Sequence, residues 1–196
     1  MKKLILYTFL FSISFSTAQK KELRNANKFF TSGEYASAID LLDSSKEIFD
    51  SSDDKIKSQA MLLYGKLHTA MEDFELAMNA FDMSKNLGIS DQLLNPEISK
   101  LETALITSAV GDNETENFSS AAKKLKMVYD LNKDNNEEYL FYAASSAVNS
   151  LDYPLALEYY EILRDIKYQG IETKFYITEV SSGNEIEINS ETEFKL

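Results

Sequence analysis

One local pattern recurs four times along this chain and leaves few ways to fold it. The stretches Gly33-Glu34-Tyr35-Ala36-Ser37-Ala38, Glu72-Asp73-Phe74-Glu75-Leu76-Ala77, Glu116-Asn117-Phe118-Ser119-Ser120-Ala121 and Leu151-Asp152-Tyr153-Pro154-Leu155-Ala156 each place alanine three residues after an aromatic. Four residues past that alanine stands a large apolar side chain: Leu42, Phe81, Leu125 or Tyr160. Nine residues before the aromatic, three units carry a small residue: Ala26, Gly65 or Ala144. Intervals of three and four gather on one face of a helix, and a small residue lets a neighbouring helix approach to ~8–10 Å. Each unit therefore reads as helix, tight turn, helix, with small residues at the crossings and aromatics in the wedge between. Glu34, Asp73, Asn117 and Asp152 directly precede the aromatics, and the last three are good helix N-caps.

Composition supports long helices. The 196 residues contain only 6 Gly and 2 Pro, few for a turn-rich β fold, and 44% are hydrophobic, enough for a packed core. Net charge is -12. Clustered Lys and Arg are what neutralise phosphate, so this balance argues against a nucleic-acid partner and against adhesion to anionic lipid. Cysteine is absent, which removes disulfides, thiolate metal sites, thiol nucleophiles and a lipidated N-terminus.

The first 18 residues read as an address. Met1-Lys2-Lys3 is a positive start, Leu4 to Phe15 is nearly unbroken apolar sequence, and Ser16-Thr17-Ala18 supplies small residues before Gln19. The run is shorter than the ~20 residues of a spanning helix. Residues 1–18 are thus expected to be a cleaved signal peptide, which leaves 18 Lys+Arg against 32 Asp+Glu, or -14. The expected location is periplasmic or secreted, without membrane insertion after cleavage.

The repeated pattern resembles the tetratricopeptide repeat, a helix-turn-helix unit of ~34 residues. The resemblance runs over about residues 20–168 and is clearest in the first unit, through Ala26, Phe29, Gly33, Tyr35, Ala38 and Leu42. The aromatics are 39, 44 and 35 residues apart, and the proline that ends the family's unit is missing. The resemblance implies an all-α fold: a right-handed α-α superhelix, a solenoid of about four helix pairs, over residues 19–170. It also implies an exported bacterial scaffold or adaptor that binds a protein or peptide on a concave surface lined by the first helix of each pair. Carried over, that surface draws on Asn25, Lys28, Lys66, Thr69, Thr107 and Ser146, expected to face solvent. The third unit departs most. Asn95-Pro96-Glu97 reads as a helix start with Asn as cap, Ile98, Leu101, Leu105 and Ala109 as its apolar stripe, and Gly111 as its end. Asp112 to Asn117 would then be a longer connecting loop, a candidate binding edge.

Residues 171–196 change character. Lys174 to Val180 is rich in β-formers, Ser181-Ser182-Gly183-Asn184 is a turn signal, and Glu185 to Ile188 alternates, together a short C-terminal β-hairpin. No polar capping helix follows before Leu196, so a longer protein or a partner is expected to cover the array's end.

Chemistry-bearing patterns are sparse. His68, the only histidine, falls in an apolar slot and reads as a packed ring. With one His and no Cys, usual zinc and copper ligation within one chain is excluded. No Gly-rich phosphate loop or Gly-x-Ser-x-Gly elbow is present, and no catalytic residue, cofactor or metal is assigned. Asp50-Ser51-Ser52-Asp53-Asp54 has oxygen ligands but not the spacing of a calcium loop, and reads as a helix-capping linker. Tyr139, Tyr142, Tyr159 and Tyr160 read as core packing, with a sugar platform as the competing role. A glycan-binding envelope protein is accordingly the second functional reading, and an envelope enzyme with a dispersed carboxylate site the third.

Overall fold

The computed structural model describes residues 19–170, 175–179 and 183–188. The expected signal peptide lies outside them, as do Lys174, Val180, Ser181 and Ser182 of the expected hairpin. The chain is mostly helical. Residues 19–31 form α1; α2 spans Tyr35–Ser44, α3 Lys46–Asp50, α4 Asp54–Ala70, α5 Phe74–Asn86, α6 Asp91–Glu114, α7 Phe118–Leu131, α8 Glu137–Asn149 and α9 Tyr153–Asp165. Strands β1 (Phe175–Thr178) and β2 (Glu185–Ile188) pair antiparallel, with Ile177 opposite Ile186 and Tyr176 opposite Glu187. Gly183, at φ 72°, turns the hairpin.

Consecutive helices pack in pairs, α4 on α5, α6 on α7 and α8 on α9, while α7 also packs closely on α8. Among the described residues four core clusters run along the helices, the smallest being Ala122, Ala147 and Ala156 of α7, α8 and α9, and the other three are each drawn from neighbouring pairs. The first holds Leu23, Ala26, Ala38, Leu42, Phe49, Ile56 and Leu67, the second Phe74, Phe81, Leu101, Leu105 and Val128, the third Ala109, Leu125, Tyr129, Leu140 and Leu163. In α8 the buried positions Leu140, Ala143, Ala144 and Ala147 follow the i, i+3, i+4, i+7 pattern of a helix with one apolar face.

The small residues sit at the crossings. Ala26 and Ala144 are wholly buried, and so is Ala109, nine residues before Phe118, so the third pair carries the same feature. Gly65 is the tightest. A Cβ there would run into Cε1 and Cδ1 of the Phe81 ring.

The four turns within the pairs are one turn repeated. Glu34, Asp73, Asn117 and Asp152 each donate a backbone N–H to the carbonyl five residues back, and the preceding residue donates to the carbonyl three back. This is the Schellman closure, which satisfies the last carbonyls of the first helix and needs a left-handed residue. That residue is Gly33 in the first turn (φ 77°), but Glu72, Glu116 and Leu151 in the others, at φ 61°, 60° and 61°. A side chain in this region costs roughly 1–2 kcal/mol, so three of the four turns are held by the packing on either side.

Three local expectations change. Of the three expected N-caps only Asp152 caps, accepting from Leu155 N–H at 3.2 Å; Asn117 makes no cap bond, and Asp73 turns its carboxylate to His68 instead. The long helix α6 begins at Asp91 rather than Asn95, with Pro96 inside it. Pro96 has no N–H for the carbonyl of exposed Gln92. The added turn instead buries Leu94 to 3% exposure beside Phe81, worth ~1.5–3 kcal/mol against the ~3 kcal/mol of an interior proline. Gly111 does not end α6, which continues to Glu114. The expected Asp112–Asn117 loop thus shrinks to the same three-residue turn as elsewhere, and the widest aromatic spacing is absorbed by a 24-residue helix. The capping role of the Asp50–Asp54 linker does hold: Asp53 accepts from Ile56 N–H at 2.8 Å.

Two substitutions test this packing. Leu151 is 70% exposed, so Leu151→Gly removes strain without removing core, and chemical denaturation should show a gain of about 1 kcal/mol. Gly65→Ala should instead destabilise by ~1–3 kcal/mol through the clash with Phe81, and adding Phe81→Leu should recover part of the loss; an unchanged midpoint for Gly65→Ala refutes the crossing geometry.

Candidate functional site

Side chains tie the first helices of the pairs to one another. Lys66 on α4 holds its ammonium 4.7 Å above the Phe30 ring of α1 and 4.0 Å from Glu97 Oε1 of α6. Lys66 and Glu97 are mostly covered, their side chains 23% and 16% exposed, so the attraction is less screened than at an open surface. Further along, Asn136, the residue before α8, donates to Glu102 Oε1 of α6 and to the Val128 carbonyl of α7, both at 2.8 Å. Ser146 of α8 donates to Asn113 Oδ1 of α6 at 3.1 Å. These contacts align α1, α4, α6 and α8 as neighbours. Beside them the same helices expose Val110, Phe141 and Val148 at 49%, 41% and 39%.

The residues carried over from the family pattern fare differently. Lys28 and Thr107 are exposed, and Asn25 and Thr69 are half-buried. The Thr69 and Thr107 hydroxyls bond back to their own helices, at Gly65 O and Thr103 O. Of the six, Lys66 alone is brought against side chains of two other first helices. Ser146 does not face solvent: it is 4% exposed and sits against α6. The helical phase explains the error, because Leu140, Ala143 and Ala147 turn inward and bring Ser146 with them, while Phe141 and Val148 turn out. Phe30, Glu97 and Phe141 are missed by the sequence reading. Only for Phe141 is there a signal, its place one step beyond the apolar stripe.

The tyrosines also divide. Tyr159 is buried and Tyr139 packs against two core clusters, and burial pushes both phenols above their ordinary range. Tyr142 and Tyr160, expected in the core, are 47% and 38% exposed. They gather on Phe141, with ring centroids 6.0 Å and 6.4 Å from it, edge to face. Tyr160 emerges because Tyr159 and Leu163 take the inward positions of α9.

At the turn edge, Lys124 of α7 donates to Asp112 Oδ2 at 2.7 Å and to Ser108 Oγ at 2.8 Å, and Ser108 donates to Glu72 at 3.2 Å. The chain joins the second pair's turn to both helices of the third. Burial raises the Asp112 pKa, but hydrogen bonds from Lys124 and Ser120 outweigh it and hold the carboxyl below its usual range. His68 packs as expected, stacked on Tyr64 at 6.2 Å with Nδ1 3.5 Å from Asp73. Among the described residues no group of three or more His, Cys, Asp or Glu is placed to hold a metal ion, and no helix is long and apolar enough to cross a membrane.

No protein-family model matches the chain, and a search of curated proteins gives no match.

The Asp112 pKa makes a prediction. A depressed folded-state value means the ion pair's stabilisation is full above the unfolded carboxylate pKa of ~3.9 and is lost as pH falls through the lower folded value. Lys124→Gln should raise the Asp112 pKa in an NMR titration and remove that acid-side loss, leaving the stability difference from wild type largest at neutral pH.

Proposed function

We propose that this chain is an exported, tetratricopeptide-like helical array that binds a protein or peptide partner on the surface formed by its first helices, and acts as a scaffold or adaptor in the bacterial envelope. The supporting observation is the alignment of α1, α4, α6 and α8 by side-chain contacts, with Val110, Phe141 and Val148 left exposed beside them. Apolar side chains held on a rigid surface with a charged border are what a peptide or a partner's helix buries on docking. Four copies of one turn, each followed by a helix of similar phase, are what a stacked array requires, and a right-handed superhelix of such pairs is the architecture proposed. Turnover is not part of the reading: the polar groups that converge, at Lys124 and Lys66, bind one another and hold helices together.

The partner is to be sought with photo-crosslinking residues at 110 and 141 on the first helices and, as controls, at exposed positions 75 and 123 on second helices. The expected result is one protein crosslinked in the cell from 110 and 141 only, with Lys28→Glu weakening it about fivefold if it is acidic. Equal labelling from all four positions defeats the reading. The ring group Phe141, Tyr142 and Tyr160 favours a second reading, a glycan-binding protein, because exposed rings stack on sugars. Binding of oligosaccharides that is lost in Tyr142→Ala, with no crosslinked protein, would replace the first reading with the second.

A further inference from the structure

A separate groove opens between α2–α3 and α4–α5. It arises because the second helix of the first pair is broken: α2 stops at Ser44, Ser45 bridges with φ -96° and ψ 8°, and α3 resumes for five residues. The corresponding helix of the next pair, α5, runs unbroken for thirteen. The break turns Phe49 inward to 4% exposure and leaves a space of about 480 Å³, within the range of small-ligand sites. Leu42, Phe49 and Ala80 form its floor, and Leu76 and Met83, each 52% exposed, stand at its rim. Methionine adapts its shape to what it covers, as on surfaces that take varied apolar ligands.

Asn79 of α5 is the polar group on the rim side, and the others lie along the Tyr64 side. Tyr64 donates its hydroxyl to Asp43 Oδ1 at 2.6 Å and stacks on His68. Lys46 is taken by Asp50 at 2.9 Å, both side chains well exposed. Among the described residues no Lys or Arg pairs with Asp43, so the lining keeps one uncompensated carboxylate beside an apolar floor. Tyr64 and His68 belong to a different face of α4 from Lys66 and Thr69. The groove is therefore distinct from the surface proposed to bind a partner, and stands or falls independently of it.

We propose that this groove binds a small cationic amphiphile, an alkyl or aryl body carrying a protonated amine. The apolar body lies on Leu42, Phe49 and Ala80 under the Leu76 and Met83 side chains. The amine donates to Asp43, whose carboxylate keeps acceptor positions beyond the one used by Tyr64. The charge sign selects the occupant: an anionic amphiphile would bring its head to Asp43 and be repelled, and a neutral one gains only the apolar contact.

The experiment titrates the full chain with octylammonium, octanol and octyl sulfate, each well below micelle formation, and reads the ring resonances of His68, the single histidine, and Tyr64. Octylammonium should shift both saturably and bind more tightly than octanol, with octyl sulfate weakest. Asp43→Asn should weaken octylammonium about fivefold and leave octanol within about twofold. Leu76→Ser with Met83→Ser, at exposed positions that leave the core intact, should weaken both about fivefold or more. The proposal is overturned if octyl sulfate matches octylammonium, if Asp43→Asn changes nothing, if the double variant binds as before, or if no probe moves the two rings. Saturation by a basic amphipathic peptide alone would make the groove a peptide-docking surface and equally overturn it.

Discussion

How closely two helices approach decides most of this structure. Where the Phe81 ring lies on Gly65 there is no room for even a methyl group, and buried Ala26, Ala109 and Ala144 mark the equivalent places in the other pairs. Backbones that near bring many side-chain atoms into van der Waals contact at once, which is where a helix pair without disulfides finds its stability. The crossing also fixes the rotation of each helix. Once Gly65 faces Phe81, Lys66 and Thr69 must face one way and Tyr64 and His68 another.

The repeated turn depends on that packing. Three residues with side chains hold a left-handed conformation that glycine adopts freely, and each does so because the two helices beside it have nowhere else to go. The strain is small against the burial of Phe74 or of Ala121 immediately downstream. The turns in return set the entry of the next helix, which buries Phe74 to 5% exposure, whereas Tyr153 at the equivalent place of the last pair stays 60% exposed. Local geometry and packing agree here, with the packing dominant.

Where the pairs differ, function has room. In the first, the break at Ser45 opens an apolar groove bordered by Asp43. In the third, added residues lengthen α6 and give Glu97, Glu102 and Asn113 to contacts with α4 and α8. In the last, Phe141, Tyr142 and Tyr160 stay exposed because Tyr159 and Leu163 fill the inner positions of α9. The hairpin adds a further exposed apolar pair, Ile177 opposite Ile186, on strands that make no extensive contact with α2–α9.

The sequence by itself determined the helices, their pairing and the hairpin, because intervals of three, four and two residues map directly onto helix faces and strand sides. The crossing residues Ala26, Gly65 and Ala144 were legible for the same reason, and so was the packed role of His68. Helix ends were not. Pro96 looked like a start and Gly111 like a stop, but burial of Leu94 and the contacts of Asp112 and Asn113 carried α6 past both. The faces of single residues were not legible either: Ser146 turned inward and Tyr160 outward, because rotation by one residue, about 100°, separates core from surface and depends on what the neighbouring helix presents. Only the tertiary structure could place Lys66 over Phe30, or Asp43 at the edge of a groove, since those partners lie on helices far apart in the chain and meet through packing rather than periodicity.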